Sequence, residues 1–364
     1  MRYATAILAG VLLSCSSGAP ESAVRHLTVF KEAGRFAAWP ANHGMWQWGN
    51  EILFGFDNGE FEFREQGHAI HREKPVEQML ARSLDGGETW TIERPEDLRL
   101  PPGIAYQRYP PGEGRPIADC EGGIDFTHPD FAFTARMTGN PGTSRFYHSS
   151  DRGRTWAGAC RLPDFGHGGS AARTDYLVNG KHDLFLFTTL AKSNGKEGRV
   201  AATRTRDGGK TWTLEGYVGP EPPETDYSIM PATQRVGPTA LLTLVRHRGF
   251  IDAWRSEDDG KTWTYANRPA PDTGSGNPPS LIRLSDGRLL LTYGYRKQPF
   301  GIRARFSSDD GATWSDERIL RDDGGNGDIG YPRSAQRPDG QVVTVYYYHL
   351  ENRERSIEAT IWRP

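Results

Sequence analysis

Apolar and polar residues alternate along this chain in short runs rather than in helical stripes. Arg303-Ala304-Arg305-Phe306, Gln341-Val342-Val343-Thr344-Val345-Tyr346-Tyr347-Tyr348 and Ser356-Ile357-Glu358-Ala359-Thr360-Ile361-Trp362 are examples. Gly, Pro and Asp bound these runs, and long helical periodicity is absent. The pattern predicts an all-β chain of short strands.

The runs are punctuated by one octet in five variants: Ser83–Trp90, Ser149–Trp156, Thr205–Trp212, Ser256–Trp263 and Ser307–Trp314. The shared form is S/T-x-D-x-G-x-T-W. A repeat of this kind dictates architecture before anything else. Its chemistry is that of a hairpin turn. The Asp carboxylate accepts backbone N–H groups across the turn. The Gly supplies a positive φ. The Trp plugs the space between neighbouring units. The octet aspartates at 85, 151, 207, 258 and 309 lie far enough apart for one four-stranded blade each. The segment from Gly330 to Pro364 has strand-like runs but no octet. It reads as a further blade short of one strand, which His26-Leu27-Thr28-Val29-Phe30 could supply.

The octet resembles the Asp-box of the sialidase (neuraminidase) superfamily, the BNR-repeat β-propellers. That resemblance implies a six-bladed β-propeller of four-stranded antiparallel blades, with seven blades as the alternative. It also implies that the boxes lie far from the catalytic face, so the turn motif speaks to scaffold and not to chemistry.

The chain has 364 residues and a net charge of −2, which gives no electrostatic footprint for nucleic acid. Residues 1–14 read as a signal peptide, with Arg2 as its positive region and Ala4 to Leu13 as its apolar core. Leu12-Leu13-Ser14-Cys15 resembles a bacterial lipobox, which would make Cys15 a lipid anchor and residues 15–25 a tether. The alternative is an ordinary secretory signal cut near Ala19. Either way the expected product is exported, periplasmic, on the cell surface or secreted. The propeller is assigned to 26–364, and the membrane is reached only through Cys15. Cys120 and Cys160 flank the second octet and could pair in an oxidising compartment. No spacing resembles a structural zinc site, and neither metal nor cofactor is expected.

A propeller binds ligands at the mouth of its central channel. Resemblance to sialidases implies three arginines that grip a substrate carboxylate, because a guanidinium fork binds it bidentately. Arg35 in Gly34-Arg35-Phe36-Ala37 stands where the first is expected, without the Ile-Pro that follows it in that family. Arg246 and Arg296 stand at the places of the other two. Tyr331 in Asp328-Ile329-Gly330-Tyr331-Pro332-Arg333 resembles the family's tyrosine nucleophile, and Arg333 lies beside it. A tyrosine nucleophile needs a neighbouring base. The family's Glu is absent near Asp226-Tyr227-Ser228, where Asp226 or Glu224 could substitute. Asp57 is the candidate acid/base.

The stretch from Trp39 to Asn50 carries three Trp, two Asn and His43. Trp39 and Trp46 could stack on sugar rings, Asn42 could bond hydroxyls, and His43 could act as acid or base. The same residues could equally serve blade packing. His68-Ala69-Ile70-His71-Arg72-Glu73-Lys74 is a second polar cluster, in which His71 or Arg72 could meet an acidic sugar. Arg173, Asp175 and Asn277 are further channel-mouth candidates.

These residues lead to three expectations. The first is a sialidase-like glycoside hydrolase of the exo-α-sialidase type, acting on an oligosaccharide or glycoconjugate with an acidic sugar. The second is an α-L-rhamnosidase or lyase acting on rhamnose–glucuronate linkages through His43. The third is a non-catalytic sugar-binding propeller.

Overall fold

The computed structural model describes residues 24–100, 114–351 and 353–364. The signal peptide, the lipobox at Cys15 and most of the tether lie outside the described residues. Six antiparallel sheets follow one another along the chain as the blades of a propeller. Blade 4 is representative. Its strands Ile229–Arg235, Leu241–Arg246, Ile251–Ser256 and Thr264–Ala270 pair in sequence order from the channel outward. Burial falls along the same direction. Leu241–Arg246 is buried throughout, while Thr264–Ala270 is mostly exposed. A strand covered on both faces needs a continuous apolar run, and Val342–Tyr348 in blade 6 supplies one.

The ring closes as expected. Blade 6 consists of Gly330–Gln336, Val342–Tyr348 and Ser356–Trp362, and Arg25–Phe30 adds its outermost strand by pairing with Ser356–Trp362. This joins the two ends of the described propeller in one sheet. The inner strands touch their neighbours around the channel, blade 6 meeting both blade 5 and blade 1.

Three blades depart from the four-stranded pattern. In blade 1 the inner strand is split into Arg35–Ala38 and Met45–Trp48, with a one-turn helix, Pro40–His43, between them. In blade 3 it is split into Ser170–Ala171 and Tyr176–Gly180. Blade 2 has three strands, Ala132–Met137, Ser144–Ser149 and Ala157–Leu162, and no inner strand among the described residues. The described part of the preceding segment runs along the outer edge instead. There Ala118 pairs with Cys160, and its N–H bonds Ala159 at 3.0 Å.

The boxes have the predicted hydrogen bonds. In the fifth, Asp309 accepts the Thr313 N–H at 2.9 Å, the Thr313 hydroxyl at 2.5 Å and the Ser307 hydroxyl at 2.7 Å. Ser307 Oγ accepts the Gly311 N–H at 2.8 Å. Gly311 has φ 85°, and a Cβ there would lie 2.3 Å from Leu242 of blade 4. The glycine therefore serves both the turn and the blade-to-blade approach. Trp156 meets Trp46 of blade 1 at 5.4 Å, and Trp212 meets Phe146 of blade 2 at 5.7 Å. Cys120 and Cys160 are free thiols in this structure and pack against the same apolar cluster.

Candidate active site

Three non-glycine residues at the inner strands lie in the left-handed region: Trp39 at φ 65°, just after Arg35–Ala38, and Met230 at 51° and Tyr331 at 52°, each the second residue of its strand. Each is followed by proline, which pushes the preceding residue toward extended backbone. Such conformations cost free energy and persist where the surroundings enforce them, often at functional sites. In blade 6 the strand bulges between Gly330 and Arg333. The Tyr331 N–H is held by the Asn277 side chain at 2.9 Å. This turns the phenol across the channel.

Tyr331 Oη accepts a hydrogen bond from Arg246 Nη1 at 2.8 Å. Arg246 ends the second strand of blade 4 and also faces the Tyr227 ring. Arg296 follows the second strand of blade 5. It donates to the Ile329 carbonyl at 3.0 Å and to Tyr347 Oη at 2.7 Å. Both guanidinium carbons lie 5.4 Å from the centre of the Tyr331 ring. Burial alone would raise the Tyr331 pKa. The charges of Arg246, Arg296 and Arg173 outweigh it and hold the phenol below its usual range.

His68 completes the cluster from the loop after the second strand of blade 1. Its ring meets Tyr331 edge-on, with centroids 5.9 Å apart. Its Nδ1 lies 2.7 Å from Asp328 Oδ1. Asp328 also accepts the Tyr347 hydroxyl at 2.8 Å, the Ala69 N–H at 2.9 Å and Arg355 Nε at 3.1 Å. Burial would raise the Asp328 carboxyl, but His68 and Arg355 keep it well below the carboxylate range. A carboxylate only accepts, so it places the imidazole proton on Nδ1 and leaves Nε2 as the basic nitrogen. The His68 side chain is 25% exposed. Burial lowers its pKa despite Asp328, which keeps a base available near neutral pH.

The other sequence candidates divide. Arg173 reaches the cluster through its charge on Tyr331, and it bonds Asn42 at 3.2 Å and Glu197 at 2.6 Å. Arg333 is a brace across the channel, bonded to the carbonyls of Ala41 and Thr174. Asp175 is buried and accepts the Thr233 N–H at 3.1 Å and hydroxyl at 2.8 Å. Arg35 spends its guanidinium on Asn58 at 3.0 and 3.3 Å. Arg72 sits half-buried in the loop that carries His68.

Trp39 and Trp46 are corrections to the sugar-stacking expectation, because each is only 6% exposed. Trp39 packs on Phe36 and on the His68 ring, and Trp46 packs on Trp156. His43 and Asp57 are likewise buried, 3.2 Å apart but out of line for a hydrogen bond. An acid or base was expected of both, and both side chains are withdrawn from solvent. Asp226 is tied to the N–H groups of Tyr227 and Arg248, and Glu224 to Lys196, so neither stands as the base beside Tyr331.

Sequence reasoning passed over His68 within its own cluster, and over Asp328, Tyr347 and Arg355. The signal for His68 was present, since the loop carrying it leaves the channel end of blade 1. Among the described residues no group of three or more His, Cys, Asp or Glu side chains could hold a metal.

This is a propeller whose channel mouth gathers arginines around a tyrosine, of the sialidase superfamily in its fold and repeats. The family model of the BNR repeat-like domain matches residues 131–344, and the chain belongs to that family. A sialidase of Bacteroides fragilis (strain YCH46) is 24% identical over 298 residues, which are 71% of this chain and 52% of the relative. The chain thus spans about half the length of that curated relative. A Dyadobacter fermentans DSM 18053 protein of unknown function has a similar structure, with TM-score 0.69 and 21% identity over 93% of this chain and 98% of that one. Trypanosoma rangeli sialidase, solved as a covalent intermediate with 2,3-difluorosialic acid, has TM-score 0.60 and 12% identity over 93% of this chain and 59% of that one.

Proposed function

We propose that the chain is an exported glycan-cleaving enzyme of the sialidase type, acting on a carboxylate-bearing sugar. The observation that carries this reading is the Tyr331 hydroxyl on Arg246, with Arg296 on the same ring. The two guanidiniums take the sugar carboxylate through charge-assisted hydrogen bonds. The phenolic oxygen, held low in pKa by the neighbouring arginines, attacks the anomeric carbon as the glycosidic C–O bond breaks. Its proton goes to His68 Nε2, which hands it on to the departing oxygen. Water then opens the tyrosyl–sugar bond.

A second reading is elimination from a uronate. It is favoured by Tyr331 having no carboxylate base bonded to it among the described residues and by the Asp328-oriented His68. Here His68 Nε2 removes the proton beside the carboxylate, the arginines hold the charge that develops, and Tyr331 protonates the leaving oxygen. The test is to incubate purified protein with sialosides and with rhamnose–glucuronate glycans. A released reducing sugar with no new ultraviolet absorbance supports hydrolysis. The absorbance of an unsaturated uronate supports elimination. Turnover of neither, with acidic sugar still bound at Arg246, returns the chain to the sugar-binding reading.

A further inference from the structure

A small cavity of about 20 Å³ lies where blades 1, 2 and 3 meet, beside blade 2, which has three strands among the described residues. It shares Arg173 with the Tyr331 cluster, but the argument for it rests on other residues and is independent of that reading. Asn42, His43, Asp57, Gln78, Arg136 and Arg173 are among its walls. Both ring nitrogens of His43, Asp57 Oδ1, Gln78 Oε1 and both terminal nitrogens of Arg136 are buried there without a hydrogen-bond partner among the described residues. Buried polar groups are almost always paired, so this concentration calls for an explanation.

The site is built rather than accidental. Gly55 sits beneath His43, and a Cβ there would lie 2.6 Å from the His43 Cβ. The His43 carbonyl accepts the hydroxyls of Thr134 at 2.9 Å and Thr174 at 2.8 Å, which fixes the one-turn helix against blades 2 and 3. Arg136 is 3% exposed, and its Nε bonds Thr134 Oγ1 at 2.9 Å. That anchor leaves the outer two nitrogens of the guanidinium for something else.

Charge decides what that something is. Arg136 and Arg145 are both buried, and Asp57 is the carboxylate that acts on Arg136. His43 adds no charge near neutral pH, because burial and Arg136 lower its pKa. Two guanidiniums against one carboxylate leave a positive charge unmatched in a low-dielectric place. Water could bond these atoms but could not balance the charge.

We infer that this cavity is an anion site that takes a carboxylate on the two free nitrogens of Arg136, beside the His43 ring. A planar, singly charged group matches the guanidinium fork. Asp57 disfavours a doubly charged one.

The test is thermal unfolding and calorimetric titration with sodium formate, sodium glucuronate, glucose and sodium chloride at matched ionic strength. Formate or glucuronate should raise the melting temperature, and glucose and chloride should not. Arg136→Met should weaken carboxylate binding at least tenfold, and Asp57→Asn should tighten it severalfold. Arg246→Met should leave this binding in place, which separates it from the Tyr331 site. Glucuronate binding without formate binding would assign the carboxylate to a sugar. Equal binding of both would assign the pocket to the carboxylate alone. If neither carboxylate binds, if chloride does as well, or if Arg136→Met and Asp57→Asn leave affinity unchanged, the inference is overturned.

Discussion

Arg246 Nη1 donates to the Tyr331 hydroxyl at 2.8 Å, tying blade 4 to blade 6 across the channel. The bond arms the phenol by favouring its ionised form, and it also marks where a substrate anion would compete. Tyr331→Phe removes the oxygen while keeping the ring that Arg246 and Arg296 face. If Tyr331 is the nucleophile, turnover should fall below detection. His68→Ala should lower turnover by about 10²-fold or more through loss of proton transfer. Kinetics of the two variants on a validated substrate provide the check. Full activity in both would remove these residues from the mechanism.

The carboxylate itself is tested by Arg246→Lys. Lysine keeps the charge but loses the fork. Each charge-assisted bond is worth about 1.5–3 kcal/mol, so affinity for the acidic sugar should drop at least about tenfold per bond lost. The methyl ester of the same sugar should be nearly indifferent to the change. Competition titrations with acid and ester measure both. Equal binding of acid and ester by the wild type would exclude a carboxylate pocket.

The octets were legible because their chemistry is local. Ser, Asp, Gly, Thr and Trp do their work within eight residues, and Asp309, Thr313 and Ser307 bond as the spacing implied. The channel mouth was only partly legible. Tyr331, Arg246 and Arg296 could be placed from the strand order, but His68 and Asp328 are 260 residues apart and meet only through the closed ring. The tryptophans misled because composition cannot tell a stacking platform from a blade wedge. Trp39 and Trp46 are the latter, with 6% exposure each. Blade 2 misled as well, since its box is intact although it shows no inner strand among the described residues.

Asp175 supplies a prediction in pH. Burial pushes its carboxyl up to about 7, against the opposing charge of Arg333 and the bonds from Thr233. A folded pKa above the unfolded one means that its contribution to stability is whole below about pH 4 and is lost as pH rises through about 7. Asparagine imitates the protonated acid and cannot ionise. The melting temperature of Asp175→Asn should therefore gain on the wild type between about pH 4 and pH 7, and hold its lead above. On the order of 1 kcal/mol or more is at stake. A gap that does not change with pH would mean that Asp175 does not titrate in this range.

Export through Cys15 rests on the lipobox-like Leu12-Leu13-Ser14-Cys15. In a bacterial host, Cys15→Ser should move the protein from the membrane fraction to the soluble one, as fractionation and immunoblotting would report. A wild-type protein already soluble would discount the lipid anchor.

Asp309 separates scaffold from chemistry. The hydroxyl and N–H of Thr313 hold its carboxyl at about 2, with help from Ser307. The folded pKa is depressed, so the stability it contributes is present above about pH 4 and is lost as pH falls through about 2. Asp309→Ala leaves the Thr313 N–H without its acceptor in a turn exposed to water. The cost should stay near 1 kcal/mol, because solvent compensates much of the loss. The box packs toward Leu242 of blade 4, outside the cluster around Tyr331. Turnover per folded molecule should therefore be unchanged while the denaturation midpoint falls. The deficit should shrink as the pH is lowered toward 2, since the wild-type carboxylate then becomes protonated as well. A variant with an unaltered midpoint and lost turnover would place the boxes in the active site, contrary to the position of Asp309 on the turn that follows Gly301–Ser307.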